Sequence, residues 1–195
     1  MGKGFGKFSA GVVAIYNQRD YAHVPYPAPG YPDATVKSGG CGPTCMAMIV
    51  ETLLGVGFDP TLAAAFAMTC GARVAGGTDM KILSAAICKA YPLMYTTSNS
   101  VMLALDTLLA GGMVIANCGG DDPAVEGDGV FSDGGHYICL FGDAILDPGL
   151  YAGKYDRTGR EKVKVHDGMV YASLLTVDGD TRSRSPRYYC FSRSL

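Results

Sequence analysis

The spacing of hydrophobic positions changes partway along the chain. After Cys41-Gly42-Pro43, the run TCMAMIVETLL repeats its apolar residues at helical spacing as far as Gly55, which predicts a helix opened by Pro43 and stopped by that glycine. Three more helices are predicted: residues 60–70 ahead of Gly71, residues 78–90 opened by a Thr-Asp pair, and residues 99–110 ahead of Gly111-Gly112. Beyond Gly112 the apolar residues fall into short β-type runs, MVIANC, HYICLFG, AILD, KVKVH and RYYCFS, parted by Gly and Asp turns. GVVAIY at 11–16 predicts a strand or an extended lead-in, and the Pro-, Tyr- and Gly-rich stretch 21–40 an ordered loop. Helices first and strands afterwards predict an α+β fold, an N-terminal helical half packed on an antiparallel sheet.

A chain of 195 residues predicts a single domain over 1–195, with residues 1–10 a flexible terminus. Apolar residues at 48% and charged residues at 17% exclude a disordered chain. Sixteen basic residues against eighteen acidic ones leave no surplus to neutralise a phosphate backbone, so nucleic acid is not an expected partner. No run of roughly 18 apolar residues occurs, GVVAI is too short for a signal sequence, and Gly6 stands where a myristoylation signal wants Ser or Thr. No membrane partner is expected. The seven cysteines, an odd number, sit mostly in apolar runs such as FAMTC and YICLF, where a reduced thiol acts as a small hydrophobe. That predicts a cytoplasmic, reducing location, with export by another route left open. The acidic stretch GGDDPAVEGDGVFSDGG and the basic TRSRSPR are expected to be solvated.

Three residues stand at element boundaries in an order that suits nucleophilic catalysis. Cys41 precedes the opening turn of an apolar helix, where free N–H groups and the helix dipole favour a thiolate. His136 follows two glycines at the start of a strand, and Asp147 ends the next strand ahead of Pro148-Gly149. An aspartate bonded to the imidazole fixes its tautomer and stabilises the imidazolium, so the three could serve as nucleophile, base and orienter. Of the acids near His136, Asp133 lies on a loop before two glycines, and Asp143 lies at the expected hairpin turn, away from the imidazole. Asp147 comes back beside the start of the first strand, and Pro148 restricts its backbone.

These motifs resemble the C39-like cysteine peptidases of the papain-like superfamily. SGGCGPTCMAM at 38–48, GGHYICLFG, ILDPG and the upstream IYNQRDY occur in that family's order across residues 14–149. The resemblance implies a papain-like fold and a thiol-dependent hydrolase of peptide or isopeptide-type bonds. It implies Cys41 as nucleophile, His136 as general base and acid, Asp147 as orienter and Gln18 as oxyanion donor, with no cofactor and a peptide or protein substrate. The 22 residues between Gln18 and Cys41 exceed the spacing in the bacteriocin-leader peptidases, and no transporter segment is present, so a double-glycine leader substrate is not implied. The papain signature C-G-[SA]-C-[WY] is not matched either. Residues 150–195 carry no family motif and are expected to complete the sheet.

The same residues would serve acyl transfer to an amine, and a catalytically silent module could use the cleft to hold a peptide. Cys41 and Cys45 have zinc-type spacing, but no second Cys or His pair accompanies them, so no metal is expected. GKGFGK follows no strand and lacks the Lys-Ser/Thr of a phosphate loop. His23 and His166 lack partner motifs, the latter expected at the surface. The five carboxylates Asp121, Asp122, Glu126, Asp128 and Asp133 predict that the acidic loop borders the cleft and favours substrates carrying Lys or Arg.

Overall fold

The computed structural model describes residues 13–120, 129–157 and 160–194. Residues 1–10, expected to be a flexible terminus, lie outside it, as do four of the five acidic-loop carboxylates, Asp121, Asp122, Glu126 and Asp128. Residues 13–17 join no sheet, and Ala14 N–H donates to Thr52 Oγ1 at 3.0 Å. A 3-10 turn, Gln18–Tyr21, follows, and the loop after it closes with a four-residue helix α1, Val36–Gly39.

The long apolar helix α2 is Cys41–Leu54, stopped by Gly55 in the left-handed conformation at φ 70°. It begins at Cys41 rather than at Pro43, so the thiol belongs to the first helical residue and not to the loop before it. Helix α3, Pro60–Thr69, has proline in its first position and Asp59 as its cap, accepting from Leu62 N–H at 3.0 Å. The hairpin β1, Arg73–Val74, with β2, Gly77–Thr78, leads into α4, Met80–Ala90, whose N-cap Asp79 accepts from Lys81 and Ile82. Next come β3, Leu93–Ser98, and α5, Val101–Leu109. The rest is β4, Met113–Gly120; β5, Gly134–Phe141; β6, Ala144–Leu146; β7, Lys164–His166; β8, Met169–Tyr171; α6, Leu174–Asp180; and β9, Tyr188–Arg193.

The fold is mixed α+β around a seven-stranded antiparallel sheet in the order β3-β9-β4-β5-β6-β8-β7. The strand-rich second half does complete it. β7, β8 and β9 come from residues beyond 150, and β9 sits inside the sheet between β3 and β4. Helices cover both faces of the sheet, α2, α3 and α4 on one and α5 with α6 on the other. Along β4, Met113 and Ile115 join the core with α2, α3 and α4, whereas Val114, Ala116 and Cys118 join a second core with α5, Phe131 and Val177 of α6. A strand covered on both faces must be apolar on both, which is why MVIANC reads as a continuous run without alternation. The basic run is also less solvated than expected. Arg187 donates to Asp178 O at 2.8 Å and pairs with Asp178 Oδ1 at 3.2 Å, its side chain 18% exposed.

Candidate active site

Helix α2 packs its buried length against β5, and Cys45 shows the alignment: its Sγ donates to Tyr137 O at 3.4 Å. Cys41 lies one helical turn before Cys45, and His136 one residue before Tyr137. The Cys41 thiol and the His136 imidazole are therefore brought together, close enough for each to shift the other's ionisation. Glycines on either side of Cys41 seat the start of α2 against α1 and against the β2–α4 segment. A Cβ on Gly42 would meet Thr78 Cβ at 2.8 Å and Met80 Sδ at 2.9 Å, and one on Gly40 would strike the backbone of Val36.

Asp147 reaches the other side of the imidazole through the hairpin between β5 and β6. Gly142, at φ 59°, makes the turn, and the register pairs Phe141 with Ala144 and Cys139 with Leu146. Continued three residues further, that register sets Gly149 opposite His136 and so brings the Asp147-Pro148-Gly149 turn alongside the imidazole. His136 Nε2 lies 2.7 Å from Asp147 Oδ1, leaving Nδ1 for the sulfur. Asp143 is exposed at the turn, as expected. Asp133 is also exposed, but it is not loosely placed: its Oδ2 accepts from both Arg157 nitrogens at 2.6 and 2.9 Å and its Oδ1 from Arg160 at 2.6 Å.

The Asp147 carboxylate is buried and takes four hydrogen bonds. Oδ1 accepts from Gly149 N–H at 2.8 Å besides His136, and Oδ2 accepts from Lys154 Nζ at 2.6 Å and Tyr155 OH at 2.6 Å. Burial opposes its ionisation, but the bonds and charges of His136 and Lys154 win and hold the carboxyl well below the usual carboxylate range. Burial likewise opposes a charged His136, yet the hydrogen bonds to Asp147 and Cys41 raise its pKa to about 9. Burial would push the Cys41 thiol up. The bond and charge of His136, with backbone N–H groups of Tyr137 and Gly42, overcome that and leave it lowered. Cys45, buried among Cys139, Cys41 and Asp147, is pushed well above the ordinary thiol range. The two cysteines of the pair thus differ in sign: the Cys41 thiol is lowered and the Cys45 thiol, packed in the core, is raised.

Gln18 is joined to the same turn by backbone, its N–H donating to Pro148 O at 2.7 Å, while Asn17 Nδ2 donates to Leu150 O at 2.6 Å. Gln18 Nε2 donates to Lys37 O at 2.8 Å, the carbonyl four residues before Cys41, and Oε1 is buried with no partner. This seats the amide beside the opening turn of α2. The Cys41 N–H, at the first helical position, has no carbonyl four residues back within the helix to bind.

Lys154, Tyr155 and Arg160 were not anticipated from the sequence. LYAGKYDRTGR, which follows ILDPG directly, looks like a polar loop, and nothing in it separates a buried lysine from a solvated one. Burial of Lys154 and Arg160 to 6% and 5% exposure is a tertiary result. His166 is exposed, 3.0 Å from Asp167. Among the described residues no cluster of three His, Cys, Asp or Glu is placed to hold a metal ion, and all seven cysteines are free thiols. No helix of the described residues is long and apolar enough to cross a membrane.

Gly149 offers a direct probe of the His136 position. A Cβ there would lie 3.1 Å from Cε1 and 3.2 Å from Nε2 of the ring. Gly149→Ala is expected to displace the imidazole by a few tenths of an ångström and to lower kcat/KM by about tenfold, with little change in melting temperature. Steady-state kinetics beside a thermal melt would check this, and an unchanged rate would mean that the ring tolerates the shift.

Comparison with known proteins returns no matching family model, no matching curated protein and no matching solved structure.

Proposed function

We propose that the protein is a papain-like cysteine hydrolase that cleaves peptide or isopeptide-type amide bonds through an acyl-enzyme on Cys41. The observation that carries this reading is the His136 imidazole bonded at 2.7 Å to the four-bonded carboxylate of Asp147, with the Cys41 thiol beside it lowered in pKa by that imidazole. In this mechanism the thiolate attacks the carbonyl carbon and an oxyanion forms, held by the Cys41 N–H and the Gln18 amide. Loss of one such donor costs about 2.7–4 kcal/mol of barrier. The C–N bond then breaks as His136 gives its proton to the departing nitrogen, and water, activated by the neutral imidazole, later releases the acyl group. Seven free thiols fit a reducing compartment.

The test is mass spectrometry of protein treated with iodoacetamide across a pH series, alongside hydrolysis of peptide substrates. Cys41 should be alkylated first, with a midpoint below the roughly 8.5 of an ordinary thiol. Hydrolysis should also rise from that midpoint, then fall as the pH passes about 9, where His136 loses the proton it must donate, while alkylation continues. The sign for stability is the same: a raised imidazole pKa contributes fully below the unfolded value near 6.5, and the contribution is lost as pH rises through about 9. First modification at another cysteine, or a Cys41 midpoint at the ordinary value, would overturn the reading.

A further inference from the structure

A cavity of about 210 Å³ opens beside the imidazole, walled by His136 and Gly149 but not by Cys41. Because His136 protonates the departing nitrogen, a group seated there belongs to the leaving half of the substrate. The volume lies below the roughly 300–1,000 Å³ of pockets for drug-sized ligands, so it suits a single residue rather than a length of chain.

The polar groups around this cavity are unevenly committed. Asp133, the carboxylate that lines it among the described residues, is already occupied by Arg157 and Arg160, and Asp147, behind His136 and Lys154, is occupied by four donors. Asp133 is therefore not free to recruit a basic side chain. The donors are in surplus. Lys154 lines the cavity, and its Nζ gives one of its three N–H groups to Asp147. Arg19 lies over the Tyr151 ring with its guanidinium carbon 4.9 Å from the centroid, and it makes no side-chain hydrogen bond or ion pair among the described residues. Among the described residues that line the cavity, three cations, Arg19, Lys154 and Arg160, thus face the single carboxylate of Asp133, and two of them, Lys154 and Arg160, are buried where screening by salt is weak.

We propose that this cavity binds a carboxylate on the leaving residue, so that the preferred substrates are amides whose departing amine carries a free carboxylate, as at the C-terminal residue of a peptide. The inference rests on the hydrolase reading above and assigns its substrate class. The reaction balances as before: the Cys41 S–C bond forms, C–N breaks, the imidazolium proton goes to the leaving amine, and the amino acid departs with its carboxylate against Arg19 and Lys154.

The test compares three libraries with identical random acyl portions and different last residues: glycine with a free carboxylate, glycine amide and lysine amide. At low ionic strength the free carboxylate should exceed glycine amide by at least tenfold in kcat/KM, the ratio narrowing as salt is added. Arg19 is exposed, so Arg19→Ala and Arg19→Glu should fold, and they should collapse and invert the ratio respectively. A ratio near one, a ratio indifferent to Arg19, or preference for the lysine amide would overturn the proposal. If none of the libraries is cleaved, the hydrolase reading fails separately. The pocket is then read from protection of Cys41 against iodoacetamide by glycylglycine and by glycylglycine amide. Stronger protection by the carboxylate, lost in Arg19→Ala, supports the pocket, and equal protection overturns it.

Discussion

Cys41→Ser is expected to abolish hydrolysis and alkylation at that site, a loss of about four orders of magnitude or more, while the melting temperature stays within a degree or two. A hydroxyl at the same place has no accessible anion, so the pairing with His136 that makes the thiolate available disappears with the sulfur. Cys45→Ser is the control. Its Sγ is fully buried and bonded to Tyr137 O, and burial holds its pKa far above the working range, so a serine there should cost stability and leave chemistry nearly intact. The expected pattern is therefore opposite in the two variants, read by peptide hydrolysis and by thermal melts. Full activity in Cys41→Ser, or inactivity confined to a well-folded Cys45→Ser, would remove Cys41 from the nucleophile's role.

The second large effect is expected at Asp147. Asp147→Asn should lower kcat by about 10²- to 10⁴-fold, roughly 2.7–5.4 kcal/mol of barrier, because the amide neither holds the tautomer nor stabilises the imidazolium. Asp143→Ala and Asp133→Ala should each change kcat by less than about tenfold, since Asp143 is exposed at the hairpin turn and Asp133 is committed to Arg157 and Arg160. Asp147 also compensates a buried lysine. Removing its charge leaves Lys154 beside a neutral group, and breaking such a pair costs about 3–5 kcal/mol of stability. The double variant Asp147→Asn with Lys154→Met separates the two roles: the melting temperature should recover and kcat should not. Recovery of both would make Asp147 a structural residue only. If Asp143 rather than Asp147 proved essential, the β5–β6 register would be other than described.

The local signals in the chain were strong where they were local in origin. Gly55 stops α2, Pro60 starts α3 and Asp79 caps α4 because turn and cap chemistry depends on a few neighbouring residues. The Cys-Gly-Pro, Gly-Gly-His and Asp-Pro-Gly motifs carried the candidate triad for the same reason: each marks a boundary at which a side chain can be held. β3, β8 and α6 were missed. LMYTTS is an edge strand with mixed exposure, while MVY and LLTVDGD are too short to show a period, and their state depends on the sheet beside them.

By itself, then, the sequence determined an α+β composition, the main helices, the strand sequence around the β5–β6 hairpin, and which thiol, imidazole and carboxylate to examine. Only the tertiary structure decided that β9 enters the sheet next to β4, that helices cover both faces, and that residues 17–18 are joined to 148–150 across more than a hundred residues of chain. It alone placed Lys154, Tyr155 and Arg160 under the candidate site and turned Asp133 from a free acid into a paired one. The reason is physical. Periodicity and caps are set by interactions within a few residues, whereas burial of a charge depends on which distant groups arrive to compensate it, and no spacing in the chain records that.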